Sequence, residues 1–368
     1  MKLVKAISWL KGTLQRCLFP HLEDCWNTDL TDKEQQLVSI LELVQVEGFV
    51  VRKADNQWLG RRLLEREAIA RSFTAKAVCA YPTTRAIIEA LKTTPNLRRI
   101  CGFGSVADIP GESTFSRAFA EFSESGLGDR VHESMVEQYL KPELVGHISR
   151  DATAIEGREK PVKKPPKEKP APKKRGRPAN GEQREPKEQT RLERQVGQSA
   201  EQALKELPVC CDCGTKKNSK GFKETWIGYK LHADVNDCGL PVSVVLTAAS
   251  LHDSQVAIPL MKMSSAKVDY LYDLMDSAYD AGLIYEVSRS LGHVPIIDKN
   301  SRGKQVIPMA PHEAVRYNER TAAERFNSRI KEEFGARNIM VRGVHKVKMH
   351  LMFGVLALFA DQLLKLAT

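Results

Sequence analysis

The chain lacks any apolar run long enough to cross a bilayer as a helix. Its longest, Leu351 to Ala360, is about half of the roughly 20 residues required, and it reads as one buried helix of a soluble protein. The amino-terminal stretch offers no clean apolar segment either, because Lys5, Lys11 and Arg16 interrupt it and no small-residue cleavage site follows. It reads as mature chain rather than an export signal. The eight cysteines, at 17, 25, 79, 101, 210, 211, 213 and 238, do not fall into the spacing of a disulfide framework. That excludes a small secreted scaffold and makes a reducing cytoplasm the expected compartment. A P-loop is missing too, and with it the usual cradle for nucleotide hydrolysis.

What is present is a chain of 368 residues with 42% hydrophobic content, enough for two ordinary domains with cores of their own. Its net charge of +10 and pI near 9.1 favour a polyanionic partner, nucleic acid ahead of a membrane surface, since clustered Lys and Arg bind phosphates by releasing condensed counterions.

Up to about residue 145 the periodicity is helical. Thr31 and Glu34 form a capping box ahead of Leu37, Ile40, Leu41 and Val44, which recur at helical spacing. Further helices are expected over 61–79, 83–92 and 113–124. The segment RICGFGSVADIPGESTFSRAF links short helices through glycine and proline. Two readings stay open for it, a helix-turn-helix that lays its last helix in a major groove and a plain helical bundle.

Residues 157–194 contain seven prolines and fourteen Lys or Arg against six Glu, a net +8 of the chain's +10. With almost no large apolar side chains, such a stretch cannot offset its own ordering entropy, and a disordered basic, proline-rich arm is expected across 157–206. Within it, Arg175 and Arg177 belong to an Arg-Gly-Arg-Pro core that suits an A·T-rich minor groove. A solvated, charge-extended linker is the competing reading.

Beyond the arm, strand-like and helical segments alternate. WIGYKLHADV and LPVSVVLTAA read as a hairpin, followed by a helix over 254–263, a strand at VDYLYDLMD, a helix near 280–291, a strand at 294–298 and a long helix over 314–333. VGHISRDATAI, before the arm, is the first strand. The expected class is therefore α/β, a mixed sheet flanked by helices, preceded by an all-helical domain. The boundaries fall at 1–144 and 145–368.

Asp151 lies inside the first strand, where an aspartate is costly unless paired, hydrogen-bonded or metal-bound. Asp276 stands at the carboxyl end of YLYDLMD, where α/β sheets usually hold their ligands. In the long helix, Tyr317, Arg320, Glu324 and Lys331 fall within roughly 60° of arc, opposite Ala322, Ala323, Phe326, Ile330 and Phe334. One stripe thus offers a carboxylate between two cations and a phenol, fit for a hard divalent metal and a phosphate. An ordinary Arg320–Glu324 pair on an exposed face is the competing reading.

Tyr-x₂-Arg-x₃-Glu-x₆-Lys, matched by Tyr317, Arg320, Glu324 and Lys331, resembles the signature of bacterial insertion-sequence transposases with a DDE triad, the insertion-sequence-four type and its relatives. RDATAI, GTKKNSKGFKETWIGYKLH, TAASLHDSQVA and MDSAYDAG resemble further blocks of that family, with Ala278 where glycine is usual. The resemblance implies an RNase H-like core in which Asp151, Asp276 and Glu324 bind two Mg²⁺ or Mn²⁺ ions. It implies Tyr317, Arg320 and Lys331 as DNA contacts, a helical DNA-binding domain over 1–144, and a homodimer acting on terminal inverted repeats and target DNA. The expected setting is the bacterial cytoplasm, at the nucleoid, with no membrane partner. The alternative functions are an inactive DNA-binding regulator derived from such an enzyme and a nuclease without strand transfer.

Three other groups compete for attention. Cys210, Cys211 and Cys213 suggest a zinc knuckle, completed by Cys238 or His232, against the reading of reduced, incidental thiols. His252 and Asp253 either approach the metals or form a helix cap beside a hydrogen-bonded histidine. Asp234, Asp273 and Asp280 rival the triad, although Asp273 and Asp276 must face opposite sides of a regular strand.

Overall fold

The computed structural model describes residues 30–51, 66–162, 188–217, 221–301 and 308–367. Arg175, Arg177 and the Arg-Gly-Arg-Pro core lie outside them.

The amino-terminal half is helical, as its periodicity requires. Helix α1 (Asp32–Val44) carries the Thr31–Glu34 capping box and buries Leu37, Ile40, Leu41 and Val44. It is followed by α2 (Arg66–Val78), α3 (Thr84–Thr93), α4 (Pro95–Cys101), α5 (Glu112–Glu124) and α6 (Leu127–Tyr139). Residues 102–111 separate α4 from α5, a connection longer than the three or four residues of a helix-turn-helix.

The last helix, α13 (Val344–Ala367), is the centre of this bundle. It is long and apolar enough to span a membrane, yet 78% of its most apolar window is buried inside the protein. A helix apolar all round needs neighbours all round. Here α1, α2, α5 and α6 surround it, Phe353 stacks on Phe73 at 5.5 Å, and the sheet closes the remaining side. One continuous core therefore runs from Leu37 through Ile148 and Leu231 to Leu363. The expected boundary at 144/145 is not a boundary in the packing, because the carboxyl terminus supplies the axis of the amino-terminal bundle.

Among the described residues the strands form one six-stranded sheet. Strand β1 (Val145–Glu156) pairs antiparallel with β3 (Lys223–Asn236) and parallel with β5 (Tyr270–Met275), which pairs parallel with β6 (Val294–Ile297). The far edge of β3 is shared in series by β2 (Asp212–Lys217) and β4 (Pro241–Ala248). Helices α9 (Ser254–Lys267) and α10 (Gly282–Ser290) cover a second core of Ile258, Met261, Met275 and Ile284.

The β2-to-β4 handover falls at Gly228. Its φ is +152°, and a Cβ there would lie 2.2 Å from the Ile155 carbonyl oxygen and 2.4 Å from the Gly157 nitrogen. Only glycine admits that approach. Gly228→Ala should therefore cost about 1–3 kcal/mol, read as a lower urea midpoint; an unchanged midpoint would show that the junction yields freely.

Two expectations are corrected, the arm's end at 206 and the unbroken long helix, and one strand is added. The arm does not run to 206: α7 (Arg191–Gly197) and α8 (Ala200–Lys205) start from capping boxes, Thr190 with Glu193 and Ser199 with Gln202. Lys262 anchors them by donating to the carbonyls of Gln195, Val196 and Gln198 at 2.9, 2.9 and 2.5 Å, the arrangement a cation makes at a helix carboxyl end. The Cys213 region is a strand, β2, because it has the first half of β3 to pair with. The long helix is interrupted: α11 (Pro311–Tyr317) and α12 (Thr321–Glu332) flank a 3₁₀ turn over Asn318–Arg320. Side chains take the carbonyls an unbroken helix would use, Ser149 Oγ donating to Glu319 at 3.2 Å and Thr321 Oγ1 to Asn318 at 3.0 Å.

Candidate active site

The sheet register brings two aspartates together. Arg150 pairs with Met275 across the parallel β1–β5 ladder, and Met275 pairs with Ile297 across β5–β6. One residue farther on come Asp151, where the β1–β5 ladder stops partway along β1, and Asp276 and Asp298, just past the ends of β5 and β6; neighbouring strands are about 4.8 Å apart. The Asp298 N–H donates to the Met275 carbonyl at 3.2 Å, which continues that row. Asp276 is fixed further as the cap of a 3₁₀ turn, its Oδ1 accepting from the Ala278 N–H at 3.0 Å.

Burial, and then the charges of Asp276 and Asp253, push the Asp151 carboxyl up to about 6, against the pull of the Ala152 N–H and of Arg320. Burial likewise raises Asp276, with Asp253 and Asp298 adding to the effect and Arg320 opposing it. Asp253 stands at the start of α9 but caps nothing with its side chain. Its Oδ1 accepts from Lys230 Nζ at 2.7 Å while its charge reaches both aspartates. His252 is held by Ser254, Nδ1 to Oγ at 2.8 Å.

Helix α12 closes the site from above β1. Arg320, on the 3₁₀ turn, acts on Asp151 and Asp276 and forms an ion pair with Glu324. That i,i+4 pair is present, but its guanidinium is only 18% exposed and stands among carboxylates rather than on a solvated face. The Tyr317 ring centroid lies 5.6 Å from the same guanidinium carbon. Asn327, one turn beyond Glu324, donates from Nδ2 to Asp151 Oδ2 at 3.0 Å. Lys331 lies apart from this group, beside Glu156, Lys216 and Arg337, with burial lowering its ammonium pKa.

The rival acids are otherwise engaged. Asp234 and Asp273 flank Arg150 on the opposite face of β1, at 2.6 and 3.3 Å, all three fully buried. Asp280 pairs with Lys299 at 3.6 Å. Cys211 is buried with its thiol 3.6 Å from the Glu159 carbonyl, and Cys213 and Cys238 are exposed.

A hard divalent cation fits the chemistry of this group. Every donor is oxygen, and two buried polar atoms facing it, Asn327 Oδ1 and Tyr279 Oη, have no hydrogen-bond partner among the described residues. Among those residues no three His, Cys, Asp or Glu side chains already surround one point, since Glu324 is turned to Arg320. The sequence reading leaves out Asn327 and Asp298, whereas Asp253 stands in it as either a neighbour of the metals or a helix cap. Asn327 shares the helical face of Glu324 at i+3, a signal that was available.

Residues 205–360 match the family described as Transposase DDE domain, and residues 27–121 match the Transposase domain (DUF772). The chain is thus similar to two transposase domains, each over less than half of its length; Asp276 and Glu324 fall inside the first match and Asp151 lies before it. No curated protein and no solved structure matches the chain.

Proposed function

We propose that this chain, part of which matches a transposase DDE domain, cleaves transposon ends and joins them to target DNA, with Asp151, Asp276 and Glu324 as metal ligands. The observation that supports the reading is that Asp151 and Asp276 each follow directly on Arg150–Met275, the last pair of the β1–β5 ladder, beneath the 3₁₀ turn that bears Arg320 and the helix that bears Glu324. Antiparallel β4–β3–β1 continued by parallel β5 and β6 supports an RNase H-like core.

When bound, two Mg²⁺ or Mn²⁺ ions would activate the attacking oxygen and stabilise the leaving one. The protein's own groups bind and orient. Asn327 fixes the Asp151 carboxylate, Arg320 and Tyr317 present a guanidinium and a phenol to a phosphate, and Lys331 binds the backbone farther along. The proposed substrate is a pair of terminal inverted repeats held by a homodimer in the bacterial cytoplasm.

The test uses a plasmid carrying the DNA that flanks this reading frame on both sides. Cutting at fixed positions with Mg²⁺, none with EDTA, and joined products with a target plasmid are expected. Binding without cutting under any divalent cation would replace this reading with that of a regulator, and cutting without joining with that of a nuclease. Asn327→Ala should lower the cleavage rate about 10–100-fold, the usual cost of losing a group that orients a metal ligand; unimpaired cleavage would remove Asn327 from the site.

A further inference from the structure

We infer that a second surface, the cleft between α3–α5 and the loop before α13, takes the sugar-phosphate backbone of duplex DNA beyond the carboxylate site. The inference rests on the proposed function for its partner and on separate residues for its evidence.

The cleft has a volume of 690 Å³ and is lined by Arg85, Arg158, Arg342 and Lys346, with Glu112 as its one acid. Arg85 is paired with Glu112 at 3.1 Å. Among the described residues Arg158, Arg342 and Lys346 have no carboxylate partner, although all three are exposed. Like charges gathered on one wall repel, and a polyanion offsets that repulsion.

The wall is also stiff. Arg342 Nε donates to the Arg158 carbonyl at 3.2 Å, and Arg158 Nη1 reaches the Met340 sulfur at 3.3 Å. The Glu159 carboxylate accepts the Gly343 N–H at 3.2 and 3.3 Å and also the Tyr229 hydroxyl. The two loops are thereby stapled to β3, so the cations are presented without first having to be ordered.

Geometry selects a duplex. Arg158 follows Asp151 by seven residues, five along β1 and two past its end, so the two lie at most about 23 Å apart at strand rise. Lys331, beside Glu156, stands between them with Lys216 and Arg337 nearby. That length equals about seven base pairs at 3.4 Å each. A small anion would need neither the length nor the repeated charge, and a small-molecule pocket would be mostly apolar.

The experiment compares wild type with Arg158→Gln/Arg342→Gln/Lys346→Gln, binding a short random-sequence duplex over a salt series. The slope of log K against log[salt] should become shallower by about 2–3, the loss of three phosphate contacts. On an end-containing duplex, backbone protection about seven base pairs from the cut should vanish. Should the triple variant melt early, Lys346→Glu, at an exposed helical position, makes the same test and should lower the slope by about 1 or more. An unchanged slope in a folded variant overturns the inference. So does polyglutamate binding as tightly as DNA and being lost in the same variant, which would assign the cleft to an acidic protein. If wild type cuts DNA while the slopes agree, the cleft alone fails; if nothing cuts but the slopes differ, the cleft stands and the cutting function falls.

Discussion

Asp151→Asn is expected to lower metal-dependent cleavage by about 10³–10⁴-fold, the range for a member of a catalytic unit that acts together, and at the same time to stabilise the metal-free protein at neutral pH. Both effects come from one cause. Asp151 is a carboxyl held by burial and by Asp276 and Asp253 at a pKa of about 6 instead of its ordinary value of 3.8. The folded state therefore keeps a proton that the unfolded chain releases near pH 4. Stability contributed by this group is fullest below that point and declines as pH rises to about 6, by about 1–3 kcal/mol at pH 7. Asparagine carries no charge to desolvate and can still accept from Asn327. Melting both proteins in EDTA between pH 4 and 8 should show the variant gaining on wild type through this window and then holding a constant lead. A variant that is less stable at pH 7.5, with no pH-dependent gap, would mean that Arg320 and Asn327 outweigh the desolvation.

The charge balance also accounts for Arg320. A site that gathers Asp151, Asp276, Asp253 and Asp298 needs a cation to fold around, and the guanidinium on the 3₁₀ turn supplies it while engaging Glu324. The Arg320–Glu324 pair read from the sequence and the proposed metal role are thus compatible: the same side chain serves the resting charge balance and stands where a phosphate would be bound.

Local rules made much of this legible. The Thr31–Glu34 box located α1, alternation located β3, an apolar segment after a turn located β4, and the apolar run over 351–360 located a buried helix. What escaped depends on distant partners. The placement of α13 at the centre of the bundle is invisible to periodicity, because a helix apolar on every face has no direction to read. Strand β2 is too polar and short to declare itself without β3, and the break at Asn318–Arg320 depends on Ser149, far away in the sequence. Helices α7 and α8 carried readable caps, but the surrounding Pro and Lys outweighed them. In the site, Asp151 and Asp276 were each visible as acids in strands, while their adjacency is a fact of register that no single strand contains. Asn327 was passed over because an amide in a charged helix draws no notice.

Register is also what makes Arg150 the most consequential buried residue outside the site. Its guanidinium, with no exposure, joins Asp234 of β3 to Asp273 of β5 across β1, and Ser264, Tyr270 and Ser288 donate to the two carboxylates at 2.6, 3.1 and 2.6 Å. Arg150→Met should cost about 3–5 kcal/mol, since two buried carboxylates would be left facing each other without a cation. Adding Asp234→Asn and Asp273→Asn should restore most of that loss, because the neutral amides can still take the serine and tyrosine hydroxyls while the repulsion is gone. Urea unfolding of the single and triple variants separates the two effects; a loss below about 1 kcal/mol in Arg150→Met would show that the ions contribute little. The triple variant then puts a sharper question to the site. If the ion triad only offsets its own burial, restored stability should bring restored cleavage. If it holds β1 in the register that sets Asp151 beside Asp276, the triple variant should be stable and still cut poorly. The second outcome is expected, because one residue of slip on either ladder would carry Asp151 to the opposite face of the sheet.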